Sequence, residues 1–137
     1  MKNEDKLGPW FEDADEDMRA YEACLQAGID RAAAYHLEQA MQKYLKGALD
    51  EIGKFSKGDR THNIPDLINK LKTELLEARL ADFTELGRRL YEIYPFRYFD
   101  TRPSEVGLSA DVLKQWAGEV RRLKAIIIEA IEKCQEQ

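Results

Sequence analysis

Cysteine is nearly missing from this chain, and the two present, Cys24 and Cys134, stand near opposite ends. A secreted scaffold stapled by several disulfides is excluded. With only two histidines beside them, the chain has no zinc-ligand set, and no metal is expected. Both cysteines fall in helical patterns and read as small buried hydrophobes. Long apolar runs are also missing: none approaches the roughly 20 residues that span a bilayer. The opening residues, MKNEDKLGPW, lack the basic-then-apolar order of a secretory signal. The expectation is a soluble, cytoplasmic protein without membrane contact. None of the eight glycines falls into a GxxxxGK[ST] or GxGxxG pattern, so a glycine-rich phosphate loop is absent and no cofactor is implied. Strand-like alternation, internal repeats and low-complexity tracts are not found.

What is present is one domain's worth of chain, 137 residues with 44% apolar content, enough to bury a core without staples. The net charge of -5 is unevenly spread. Residues 1–22 carry three basic and eight acidic side chains, and the remainder carries 18 of each sign. An acidic balance argues against a duplex-DNA binder and leaves room for a local basic pocket.

The chain is organised around Gly28 to Gly53, GIDRAAAYHLEQAMQKYLKGALDEIG, helix-forming residues with a glycine near each end. Ile29, Ala33, Leu37, Ala40, Tyr44, Leu45, Ala48, Leu49 and Ile52 recur every three or four residues, as a helix with one buried face requires. Its alanines keep it slim, so neighbouring helices can approach closely on more than one side. Tyr35, His36, Gln39, Lys43 and Lys46 on the same helix are polar groups a purely structural element could do without. Before it, a helix starting near Pro9 carries Glu12, Asp13, Asp15, Glu16 and Asp17 in its early turns. That acidic run reads as macrodipole stabilisation on a solvated face rather than a cation site.

After it, Lys54 to Asn63 (KFSKGDRTHN) reads as a short polar loop, with Thr61 or Asn63 capping a third helix through Ile64, Leu67, Ile68, Leu71 and Leu75. A fourth runs through Leu80, Phe83, Leu86, Leu90 and Ile93 to Pro95. No strong breaker stands between Glu77 and Ala81, and the third and fourth could run together. Tyr94 to Leu108, with four aromatics, two prolines and two arginines, reads as a surface loop with functional potential. Ser109 then caps a last long helix. The fold expected is all-α, a single-domain antiparallel up-and-down bundle of four to five helices.

Several of these segments, taken in order, resemble one family. Trp10-x3-Ala14-x2-Asp17-Met18, His36-x2-Gln39-Ala40-x2-Lys43-x-Leu45-Lys46-x2-Leu49, Thr61-His62-Asn63 and Tyr94-x2-Arg97-Tyr98-x-Asp100 resemble the HEPN domain ("higher eukaryotes and prokaryotes nucleotide-binding") over roughly residues 8 to 130. The resemblance implies a bundle of about five helices that commonly pairs into a homodimer. It also implies a small nucleotidyltransferase partner, sometimes as toxin and antitoxin, with metal-independent ribonuclease activity in some members. The sequence departs from the family pattern at Glu38, where glutamine is common, at Gln42, where glutamate is common, and at Phe99, where proline is usual.

Ribonuclease members use an arginine followed four to six residues later by a histidine, and Arg31-x4-His36 fits that spacing. A near-neutral histidine can take a 2'-hydroxyl proton while arginine grips the scissile phosphate. Against this catalytic pair, the motif sits early in the domain, and five residues of helix turn the two side chains about 140° apart. His36 can equally be a packed or hydrogen-bonded helix histidine, and His62 can fix its loop by bonding backbone groups. Arg97, Tyr98 and Arg102, with Arg88 and Arg89 upstream, form the richest basic and aromatic mixture, able to clamp phosphate and stack on a base. With Lys43 and His62 they are the candidate nucleotide or single-stranded RNA contacts; pairing of Arg97 with a carboxylate is the plain alternative. Three functions therefore stand: a homodimeric nucleotide-binding or interaction module serving a nucleotidyltransferase, a ribonuclease toxin using Arg31 with His36, or His62 with Arg97, and a structural dimer with no ligand.

Overall fold

A computed structural model describes residues 7–93 and 108–136. These residues form five α-helices and no strand: α1 (Pro9–Gln26), α2 (Asp30–Glu51), α3 (Ile64–Leu75), α4 (Thr84–Ile93) and α5 (Ala110–Glu136). None of them is long and apolar enough to cross a membrane. α2 packs against α1, α3, α4 and α5 and forms the axis of the bundle. Its Ala33, Ala34, Leu37, Ala40, Met41, Leu45, Ala48 and Leu49 are all essentially sealed from solvent.

Helix ends follow local chemistry. Pro9 opens α1, Asn63 caps α3 by accepting the Asp66 amide at 3.1 Å, and Ser109 Oγ accepts the Val112 amide at 3.2 Å to start α5. α1, α2 and α3 stop alike, with a left-handed residue whose successor's amide bonds back into the last turn: Ile29 to Cys24, Lys54 to Leu49, Glu77 to Lys72. The left-handed residues are Gly28, Gly53 and Leu76, with φ of 76°, 73° and 52°. Leu76 thus supplies the break between α3 and α4, which do not run together. A 3-10 turn (Ala78–Phe83) carries Leu80 and Phe83 into the core before α4 begins.

Contacts between named pairs fix the helix directions. Trp10 and Phe11 press on Gly47, Phe11 stacks near Tyr44, and Asp17 reaches Lys43 and His36, so α1 and α2 are antiparallel. Glu22 pairs with Arg121 and Asp15 with Lys124, making α5 antiparallel to α1. Gly87 packs on Ile64 and Ile68 between α3 and α4, while Arg122 covers Phe83 and Arg89 approaches Trp116 between α4 and α5. The connection from α2 to α3 is the departure from simple alternation. Lys54 lies by Glu74, Asp59 by Lys70 and His62 by Gln42, so the segment doubles back along α3. It is also not wholly irregular, because Lys57–Arg60 form a 3-10 turn.

Two expectations are corrected by burial. The acidic run of α1 is solvated only at Glu12, Asp13 and Glu16; Asp17 is buried, and Asp15 turns inward to Tyr44 and Lys124. Positions 14, 17, 18 and 21 share one helical stripe, which carries Asp17 under the seam with Ala14, Met18 and Tyr21. Cys24 is half-buried against the core, but Cys134 is exposed on the last turn of α5.

Candidate functional site

Polar side chains of α2 fall into two files. His36 and Lys43 are seven residues apart, about 20° short of two full turns, and so share the side facing α1. Asp17 meets them there. Its Oδ1 lies 2.9 Å from His36 Nδ1, and its Oδ2 accepts Lys43 Nζ at 2.7 Å. The side chain of Asp17 is only 11% exposed, and holding a carboxylate in so dry a seam requires partners on both oxygens. Two residues earlier on α1, Asp15 accepts from both Tyr44 and Lys124. The groove beside Asp17 has a volume of about 320 Å³ and is lined by Asp13, Glu16, Asp17, Ala20, His36 and Lys43. With its Nδ1 proton given to Asp17, His36 has Nε2 as its basic nitrogen.

The second file is Glu38, Gln42 and Lys46, all buried. Gln42 donates its amide to Glu38, and Gln39 adds a second donor to Glu38 at 2.9 Å. On the other side, Gln42 Oε1 accepts Lys46 Nζ at 3.2 Å and lies 3.1 Å from His62 Nδ1. The Gln42–Glu38 contact is an i,i+4 pair on one face of α2. Lys46 also stands 5.9 Å from the Trp10 ring. Burial pulls its pKa below the ordinary lysine value; the Glu38 charge works the other way, and Lys43 adds to the lowering.

Of the residues singled out from sequence, His36 and Lys43 are brought together, with Asp17 as the link. Arg31 is half-buried one and a half turns before His36. Its five-residue offset leaves it about 140° around the helix from that imidazole. His62 is exposed and joins the second file through the side chain of Gln42. That contact is about 9 Å along α2 from His36 and about 120° around it. Arg97, Tyr98 and Arg102 lie outside the described residues. The site residue that sequence reading did not select is Asp17. Its signal was its spacing, three after Ala14 and four before Tyr21, which marks an acid on a buried stripe.

Compared with known families, the chain matches the HEPN domain over residues 8–134. No curated protein and no solved structure matches it.

Proposed function

Since this chain belongs to the HEPN domain family, we propose that it is a homodimeric nucleotide-binding or interaction module that works with a small nucleotidyltransferase partner, as in toxin–antitoxin pairs. The observation that carries this reading is the groove between α1 and α2, where His36 and Lys43 converge on Asp17. Its volume falls at the lower end of small-molecule sites, which suits part of a nucleotide. Asp13, Glu16 and Nε2 of His36 are acceptors for sugar hydroxyls or base amino groups, and Lys43 is a donor. The test is thermal melting with a panel of ribonucleotides, together with co-purification of a co-expressed nucleotidyltransferase. A ligand at a hundredfold over its Kd stabilises by about 2.7 kcal/mol, and Lys43→Ala is expected to remove that shift. Absence of both the shift and the complex counts against the reading.

A second reading, metal-independent cleavage of single-stranded RNA, rests on the Asp17–His36 contact. A carboxylate on Nδ1 orients the imidazole so that Nε2 can take the 2'-hydroxyl proton. The 2'-oxygen then attacks phosphorus and the 5'-oxygen leaves, giving a cyclic phosphate, with Lys43 as the cation beside the developing charge. Purified protein is expected to cut RNA in chelator. Cleavage that survives both His36→Ala and His62→Ala rules this reading out.

A further inference from the structure

We infer that the outer edge of the α2–α3 connection, formed by Lys57, Arg60 and His62, docks the phosphodiester backbone of a single-stranded nucleic acid. This edge is separate from the α1–α2 groove, and the inference holds whether or not the strand is cut.

The geometry begins with the one carboxylate of the segment. Asp59 is 7% exposed; its Oδ2 accepts the Ser56 amide at 2.8 Å and the Ser56 hydroxyl at 3.0 Å, and Lys70 of α3 donates to the same oxygen. The acid is therefore turned inward and neutralised, and the 3-10 turn is pinned at its start. In a 3-10 helix, residues three apart eclipse one another, so Lys57 and Arg60 project on one side, about 6 Å apart along the axis. That interval is comparable to the separation of successive phosphates along a strand. Both side chains are exposed, and no carboxylate among the described residues pairs with either. Several cations elsewhere are taken up by carboxylates: Lys43 by Asp17, Lys124 by Asp15, Arg121 by Glu22, Arg79 by Glu77, Arg88 by Glu85 and Lys133 by Glu129. His62 follows two residues later, exposed, with its ring held at Nδ1 by Gln42.

Charge complementarity selects the occupant. Guanidinium and ammonium groups on a rigid turn match phosphate oxygens. A three-group edge is too narrow for the charge density of a duplex, and the exposed acids of α1 oppose a broad polyanionic face.

The test is fluorescence anisotropy of the full chain with a short labelled oligouridine across a salt series. Wild type is expected to bind with an affinity that falls as salt rises. Lys57→Gln/Arg60→Gln is expected to bind about tenfold or more weakly and to flatten the log–log salt slope by about 1.4, at about 0.7 per phosphate contact. A control, Arg19→Gln/Lys114→Gln, removes the same charge from exposed positions elsewhere and is expected to bind as wild type. Equal binding of an oligodeoxy strand supports backbone recognition. No salt-dependent binding by wild type, unchanged binding by the Lys57/Arg60 variant, equal loss in the control, or tighter binding of a duplex each overturns the inference. The Lys57/Arg60 variant is expected to keep any nucleotide-dependent melting shift of the groove, so the two proposals fail separately.

Discussion

Replacing a helical glycine by alanine should have opposite effects at two positions of this protein, and the difference measures how tightly α1 lies on α2. A Cβ added at Gly47 would stand 2.7 Å from Trp10 Cβ and 3.0 Å from two ring atoms of Phe11. Trp10 Cβ is one bond from its backbone and cannot swing aside, so α1 itself has to move. Overpacking of this kind costs about 1–3 kcal/mol. The gain in helix propensity returns about 1 kcal/mol. Gly47→Ala should therefore lose about 1 kcal/mol net, a fall of roughly 3–5 °C in Tm for a domain of this size. Gly118, within α5, has nothing within 4 Å of its added Cβ. Gly118→Ala should gain up to about 1 kcal/mol. Urea unfolding followed by far-ultraviolet circular dichroism reads both, and an unchanged m value shows that stability and not the compactness of either state is what differs. If the two variants were stabilised alike, the close crossing at Gly47 would be wrong, and with it the register that brings Asp17 to His36.

Two further outcomes follow from local geometry. Leu76 is 91% exposed at φ 52°, a conformation that costs an ordinary residue about 1–2 kcal/mol, so Leu76→Gly should raise stability by up to about 1 kcal/mol despite the entropy of glycine; a drop in the urea midpoint would refute the strain. Burial works against the Asp59 charge, but hydrogen bonds from Lys70 and Ser56 outweigh it and hold the carboxyl below the usual aspartate range. A folded-state pKa below the unfolded one, about 3.9, contributes stability that is present above that value and lost as pH falls through the depressed one. Asp59→Asn should therefore be less stable at neutral pH and decline less steeply on acidification below about pH 4, and parallel curves for variant and wild type would exclude the contribution.

Much of the fold was legible because ordinary signals mark it. Pro9, Asn63 and Ser109 start helices where caps belong, and Gly28 and Gly53 end them. Leu76 was illegible because a leucine took the left-handed position, and leucine carries no turn signal in sequence. The site was half legible. His36 and Lys43 stood out as needless polarity on a core helix, but Asp17 was absorbed into an acidic run that looked uniform. Composition sees charge and not angle, and only the stripe through Ala14 and Tyr21 separates Asp17 from its solvated neighbours. The doubling-back of residues 54–63 was hidden for another reason: it is fixed by contacts to Glu74, Lys70 and Gln42, and no local pattern encodes those.

The same pairings explain why the two proposed surfaces suit different parts of a nucleic acid. The acidic front of the chain is no inert tail, because Asp15, Asp17 and Glu22 draw Lys124, Lys43 and Arg121 onto the seams of α1. Any phosphate entering the α1–α2 groove must share Lys43 with Asp17 and sit beside Asp13 and Glu16, which repel it. Sugar hydroxyls and base amino groups meet no such opposition there, since carboxylates accept from them. At the 3-10 turn the balance reverses, because the turn's own acid, Asp59, is already spent on Ser56 and Lys70, and Lys57 and Arg60 face outward. The selectivity proposed, for a nucleoside at the groove and for backbone phosphates at the turn, rests on which carboxylates the fold has already satisfied.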